Sequence, residues 1–76
     1  IKIHKLSSTS FSISSEEDVH FVQLHFEGKN IDWSDNYFDI KKGETKIIYV
    51  KGDTLNQSFL KNLKTFTLEE FYRKYN

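Results

Sequence analysis

"SDNYFDIKKGETKIIYV", residues 34–50, governs how this chain reads. Ser34-Asp35-Asn36 forms a turn signal, because short polar side chains hydrogen-bond their own backbone at corners. A four-residue piece comes next, Tyr37 to Ile40, and Lys41 to Gly43 turns the chain again. From Glu44 to Lys51 the pattern has a period of two, with Thr45, Ile47 and Tyr49 on one side and Lys46, Ile48 and Val50 on the other. That period belongs to a half-buried strand and not to a helix. Two corners packed this tightly around one short strand predict a sheet that doubles back on itself.

Outward from this stretch the same grammar recurs. Ile1 and Ile3 alternate with Lys2 and His4, and Phe11 and Ile13 alternate with Ser12 and Ser14, on either side of the Ser7–Ser10 turn cluster. Ser15-Glu16-Glu17-Asp18 interrupts the pattern; Ser14 with Glu17 fits a helix capping box, but the residues from Val19 onward have a strand's period. Val19 to Phe26 is the strongest strand, with Val22, Leu24 and Phe26 expected inside and Gln23 and His25 outside. Gly28-Lys29-Asn30 turns into a short strand at Ile31–Trp33. Gly52-Asp53-Thr54 closes the strand from Glu44 to Lys51, and Leu60 to Phe66 is expected to form a last strand. Asn56-Gln57-Ser58 fits the acceptor pattern for N-glycosylation, relevant only in a eukaryotic secretory setting.

The end of the chain changes period. Thr67-Leu68-Glu69-Glu70 is a capping box, with Phe66 and Phe71 at the two staple positions. Leu68, Phe71, Tyr72 and Tyr75 then recur at helical spacing, predicting a short helix over 68–75. Eight residues do not hold a helix in water unaided, so this face must dock on something. Short strands joined by short turns, with no long helix between them, predict an all-β, antiparallel β-sandwich ending in a short C-terminal helical turn.

Composition bounds the functions. The 76 residues make one domain over 1–76, and twelve aromatics carry much of the apolar content. Eleven basic and eleven acidic residues cancel and are interspersed, which gives nucleic-acid binding no basic face. Without cysteine there is neither a disulfide framework nor a thiolate metal site. No apolar run approaches the ~20 residues of a membrane span, so no membrane partner is expected. The chain opens on Ile1 and not on Met, the look of a piece cut from a longer protein.

Chemistry is sparse. His4, His20 and His25 are the only imidazoles, and a spacing of five on a strand places His20 and His25 on opposite faces, so no metal or other cofactor is expected. No serine sits in a nucleophile elbow, and three scattered glycines make no phosphate loop. A retaining glycosidase needs two carboxyl groups about 5–5.5 Å apart in a sugar-sized cleft. The acids here instead suit turns, Asp35 and Asp39 above all. Trp33 and Tyr37 flank the Ser34–Asn36 turn and are the candidates for contact with a sugar or a neighbouring domain, set against Trp33 lying in the core and Tyr37 packing at an edge.

Over residues 32–50 the sequence resembles the C-terminal immunoglobulin-like domain of β-mannosidases of glycoside hydrolase family 2. The family motif S-D-N-[FY]-F-D-[LI]-x-P-G-E-x-K is met from Ser34 to Lys46, with Lys42 where the family usually has proline. "VQLHFEG" before it and "LKTFTLEEFY" after it resemble the flanking segments. The resemblance implies an immunoglobulin-like sandwich. It implies that Asn36, Phe38, Asp39 and Gly43 form a structural motif in which Asn36 and Asp39 hold amides while Phe38 and Ile40 enter the core. It also implies a parent that removes terminal β-mannose residues with retention, whose catalytic glutamates lie on a (β/α)₈ barrel of about 250 residues. None of that barrel is present, so no catalytic residue is carried over. The expectation is a non-catalytic accessory domain, the C-terminal fragment of an exported bacterial glycosidase, periplasmic or extracellular. Its expected partners are the remaining domains of the parent and mannose-containing glycans. The alternatives are a carbohydrate-binding module using Trp33 and Tyr37, or a protein-interaction module using Leu68, Phe71, Tyr72 and Tyr75.

Overall fold

A computed structural model of the chain describes residues 1–75, with side chains through Arg73, so the side chain of Tyr75 lies outside the described residues. The strands are β1 (Lys2–Lys5), β2 (Ser10–Ser14), β3 (Val19–Phe26), β4 (Asp32–Trp33), β5 (Phe38–Ile40), β6 (Thr45–Lys51) and β7 (Leu63–Phe66). Helix α1 (Gln57–Asn62) precedes β7, and α2 (Leu68–Tyr75) follows it. Two antiparallel sheets face each other, one ordered β1-β2-β6-β4 and the other β5-β3-β7. After β3 the chain alternates between sheets at every strand, so each connection crosses an end of the sandwich.

The core gathers apolar side chains from both sheets, joined by Leu55 and Phe59 from the segment after β6. Phe11 and Ile13 from β2 and Ile48 and Val50 from β6 meet Val22 and Leu24 from β3 and Phe38 and Ile40 from β5. Each such side chain contributes about 1.5–3 kcal/mol by leaving water.

The segment expected to be one strand from Leu60 to Phe66 is corrected. Its first part is α1, and the strand begins only at Leu63. Asn56 caps that helix: its Oδ1 accepts from the Phe59 N–H at 2.7 Å. Phe59 drops into the end of the sandwich, stacking on Phe26 at 4.7 Å between centroids, with the edge of Trp33 at 6.1 Å. Six residues are too few to show a helical period against the apolar run beside them, and the Asn cap was the available signal.

The corner at Asn36–Gly43 is built by side chains that stand in for missing strand. Beyond Phe38, β3 has no backbone partner from the β5 side. Asn36 supplies one: its Oδ1 accepts from the Leu24 N–H at 2.7 Å and its Nδ2 donates to the Leu24 carbonyl at 3.2 Å. A side-chain amide thus replaces a peptide unit in the ladder, and the same Oδ1 accepts from the Tyr37 N–H at 2.9 Å. Ser34 acts similarly on the other sheet, donating its N–H to the Tyr49 carbonyl and accepting the Tyr49 N–H on Oγ, both at 2.9 Å. Asp35 pairs with Lys46 at 2.8 Å, and the Lys46 ammonium lies 4.9 Å from the Phe38 ring centroid. The hydrogen bond from Lys46 holds the Asp35 carboxyl below its ordinary value.

Gly43 is the third residue of a four-residue turn closed by the Glu44 N–H on the Lys41 carbonyl at 2.9 Å. Its φ of 79° is the value a type II turn needs there, which a side chain would resist. Proline is favoured one position earlier in such turns. Here Lys42 keeps an N–H that proline would lack, and that N–H donates to Asp18 Oδ1 at 2.7 Å, tying the turn to the loop before β3.

Replacing Asn36 by Ala is expected to cost about 2–6 kcal/mol in denaturant unfolding, because the N–H and carbonyl of Leu24 each lose a partner worth about 1–3 kcal/mol. Lys42→Pro tests the turn: in an Asp18→Ala background it is expected to stabilise by about 0.4–1 kcal/mol, and in the wild-type background the lost Asp18 bond offsets that gain.

Candidate functional site

The outer side of the β5-β3-β7 sheet carries the chain's most unusual backbone. Between the pairs Val19–Ile40 and Val22–Phe38, two residues of β3, His20 and Phe21, oppose the single Asp39 of β5. This is a β-bulge, which frees ladder amides and re-aims side chains. Phe21 adopts a φ of 55° and Tyr37, at the foot of β5, a φ of 57°. They are the two non-glycine residues in left-handed conformation among the described residues. For bulky side chains that geometry costs on the order of 1–3 kcal/mol each.

The amides freed by the bulge are taken by carboxylates. Asp39 Oδ1 accepts from the Phe21 N–H at 3.0 Å. Glu69, reaching from the first turn of α2, accepts from the His20 N–H at 3.0 and 3.1 Å and meets the His20 ring Nδ1 at 2.6 Å. Thr67 caps that helix, its Oγ1 accepting from the Glu70 N–H at 3.2 Å as the capping box predicts. The short helix that could not stand alone is therefore fastened to the bulge by one glutamate.

The bulge also resets the alternation. Val19 and Val22 both turn toward the core, three residues apart, and His20 and His25 are both exposed. The expectation that these two histidines lie on opposite faces is thus corrected, since an inserted residue shifts the parity. His20 is engaged by Glu69, and His25 lies 6.3 Å from the Phe66 ring. Among the described residues no three His, Cys, Asp or Glu side chains gather as a metal site.

Strain and carboxylates together display an aromatic face. Phe21 is 60% exposed and Tyr37 57%, with ring centroids 6.2 Å apart in an edge contact. Phe66, Leu68 and Phe71 complete the rim of a shallow hollow with them, and Gln23 lies on its floor within reach of the Tyr37 hydroxyl at 3.4 Å. Tyr72 continues the face from Phe71, its ring centroid 6.1 Å away.

Of the residues singled out in the sequence, Phe38 and Asp39 lie on β5, with Asn36 before it on Leu24 and Gly43 in the turn after it beside Ser15, while Trp33 and Tyr37 are separated. Trp33 is half-buried on the larger sheet, edge-on to Phe11 at 6.2 Å, and packs against the core. Tyr37 belongs to the aromatic face of the smaller sheet. The turn between them crosses from one sheet to the other, so they share no platform. Phe21 is not legible as a site residue in the sequence, because nothing local announces a bulge.

A family model for an immunoglobulin-fold domain, Ig_mannosidase, matches residues 2–71. The chain belongs to that family. Comparison with curated proteins and with solved structures gave no match. In this Ig_mannosidase domain four strands face three, the division of a constant-type immunoglobulin domain. The middle strand of the smaller sheet is the bulged β3, and α2 follows β7.

The Glu69–His20 clamp sets a pH window for α2. The hydrogen bond that His20 gives to the Glu69 carboxylate raises its pKa above the ordinary 6.5 against desolvation, with the charges of Glu69, Asp39 and Asp18 adding to the rise. Partial burial works to raise Glu69, but the bonds from the His20 ring and amide prevail and hold it below its ordinary 4.5. The histidine's contribution is complete below 6.5 and fades as pH rises through the raised value; the glutamate's is complete above 4.5 and fades as pH falls through the lowered one. Docking of α2, followed by the amide shifts of Glu70 and Phe71, is expected to be firmest between those two values. His20→Gln should remove the alkaline limb and leave the acid one.

Proposed function

We propose that this domain is the non-catalytic C-terminal accessory domain of a β-mannosidase of glycoside hydrolase family 2, and that it seats on the rest of the parent chain through the aromatic face of Phe21, Tyr37, Phe66, Leu68, Phe71 and Tyr72. The observation that carries this reading is the pair of left-handed aromatics. A chain accepts strain of that size where the displayed side chains have a use, and two adjacent rings aimed outward are suited to burial against another surface. The membership in a mannosidase-associated domain family supports the parent, and the motif from Ser34 to Lys46 supports the family 2 assignment. In such a parent the hydrolysis of terminal β-mannose, with retention, would be carried out by a carboxyl pair on a separate barrel. This domain would cover apolar surface and stiffen that barrel's edge. An exported bacterial enzyme is the setting we propose for it.

The interaction-module alternative uses part of the same face, since Leu68 and Phe71 line it and the Tyr72 ring neighbours Phe71. The two readings differ in the partner. Mixing the labelled domain with the separately produced remainder of the parent is expected to shift the Phe21, Tyr37 and Phe71 amides, and the double substitution Phe21→Ser, Tyr37→Ser should abolish the shifts. The domain alone is expected to release no product from an aryl β-mannoside. Binding that survives the double substitution, or turnover by the isolated domain, would remove the proposal.

A further inference from the structure

Helix α2 is held to the sandwich less by burial than by one side chain. Its apolar residues Leu68, Phe71 and Tyr72 are all exposed, so little apolar surface fastens it. A helix of eight residues is not stable in water by itself. Its first turn ties it down: Thr67 is buried there, and Glu69 takes both the His20 N–H and the His20 ring Nδ1. Yet α2 also builds the aromatic face. Leu68 and Phe71 form one wall of the hollow of about 220 Å³ that Phe21, Gln23 and Tyr37 complete. Phe21 follows His20 in the bulge, where Asp39 holds its N–H. The fastening of the helix and the shape of the hollow therefore depend on adjacent residues of β3.

We infer that the Glu69–His20 clamp is a proton-operated latch on the aromatic face, assembling the hollow when both groups are charged and releasing α2 when either is neutral. The latch regulates the seating on the parent chain proposed above and rests on that reading. Facing His20 are Glu69 from α2, Asp39 from β5 and Asp18 from the loop before β3, and all three favour the imidazolium. The cleft beside Glu69 carries Glu16 and Glu17 from the same loop, Lys2 from β1, and Glu70 and Arg73 from α2. Lys2 is paired with Glu16, and on β7 Lys64 lies opposite His25 and is paired with Glu27. Among the described residues, the cation that pairs with Glu69 is His20. A neutral His20 thus leaves Glu69 among like charges, which push the first turn of α2 away from β3. Protonated Glu69 instead loses the charge that strengthens its bonds to the His20 ring and amide. With His20 raised above 6.5 and Glu69 held below 4.5, the latch is complete between those values, weakening on the alkaline side as His20 loses its proton and on the acid side as Glu69 gains one.

The test follows the isotope-labelled domain from about pH 5.5 to about pH 8.5. Expected is a loss of the nuclear Overhauser contacts joining α2 to β3, along one titration curve centred above 6.5, with the Gln23 and Phe71 amides shifting on the same curve. Glu69→Gln lacks the titrating carboxyl and His20→Gln lacks the charge, so each should make those contacts constant over the range. Binding to the separately produced remainder of the parent should weaken toward the alkaline end for the unsubstituted domain alone; a titration belonging to the remainder would show equally with both variants. Contacts that persist to the alkaline end, a pH dependence shared by both variants, or equal binding at the two ends overturns the latch and leaves the seating reading in place. Absence of binding at both ends removes the seating reading and its regulation together.

Discussion

The two hydrogen bonds between the Asn36 amide and the Leu24 peptide hold the chain's crossing between its two sheets. Trp33 belongs to the larger sheet and Phe38 to the smaller, and only Ser34 to Tyr37 connect them. So short a connection leaves the β5 side of β3 without a backbone partner at Leu24, in the middle of the sandwich. An unpaired peptide there would cost about 1–3 kcal/mol for each group. Asparagine is the residue that answers this, because its side chain carries a donor and an acceptor spaced as in a peptide. Once Asn36 is fixed on Leu24, Tyr37 must take its left-handed turn for Phe38 to enter the core.

That constraint explains why structure and surface are coupled in this domain. The left-handed Tyr37 is pushed outward beside Phe21, which a bulge in β3 pushes outward as well. The bulge is held by Asp39 from one side and by Glu69 from the other, so α2 is anchored to the same irregularity that creates the aromatic face. Interior hydrogen bonding and the exposed face therefore share their residues. The motif from Ser34 to Glu44 contributes to each: Ser34 and Asn36 extend ladders, Asp35 holds Lys46, Phe38 and Ile40 fill the core, Asp39 binds the bulge and Gly43 makes the turn. Even the lysine at a position where proline is usual has its use, as a donor to Asp18.

The domain's two sheets thus present different outer surfaces. The smaller is apolar and aromatic around Phe21, Tyr37, Phe66, Leu68 and Phe71. The larger places Ser10 opposite the exposed Tyr49 and Asp32 opposite Lys51 on its outer side.

Local pattern was enough for most of the strand series, the inward residues Val22 and Leu24 of β3 and Phe38 and Ile40 of β5, and the capped helix at the end. Each rests on short-range physics: a period of two, a turn residue that tolerates its φ, a hydroxyl three residues from an amide. Long-range packing settled the remainder. The bulge at His20–Phe21 depends on how many residues of β5 oppose β3, and so the faces of His20 and Phe21 could not be counted along the strand. Helix α1 forms because Phe59 finds the gap at the end of the sandwich, although its six residues carry too little periodicity to be read. Trp33 and Tyr37, close in the chain, part company because the turn between them changes sheets, and Trp33 reaches the core only through pairing of β4 with β6. Such proximities are set by the register between distant segments, which a linear pattern does not contain.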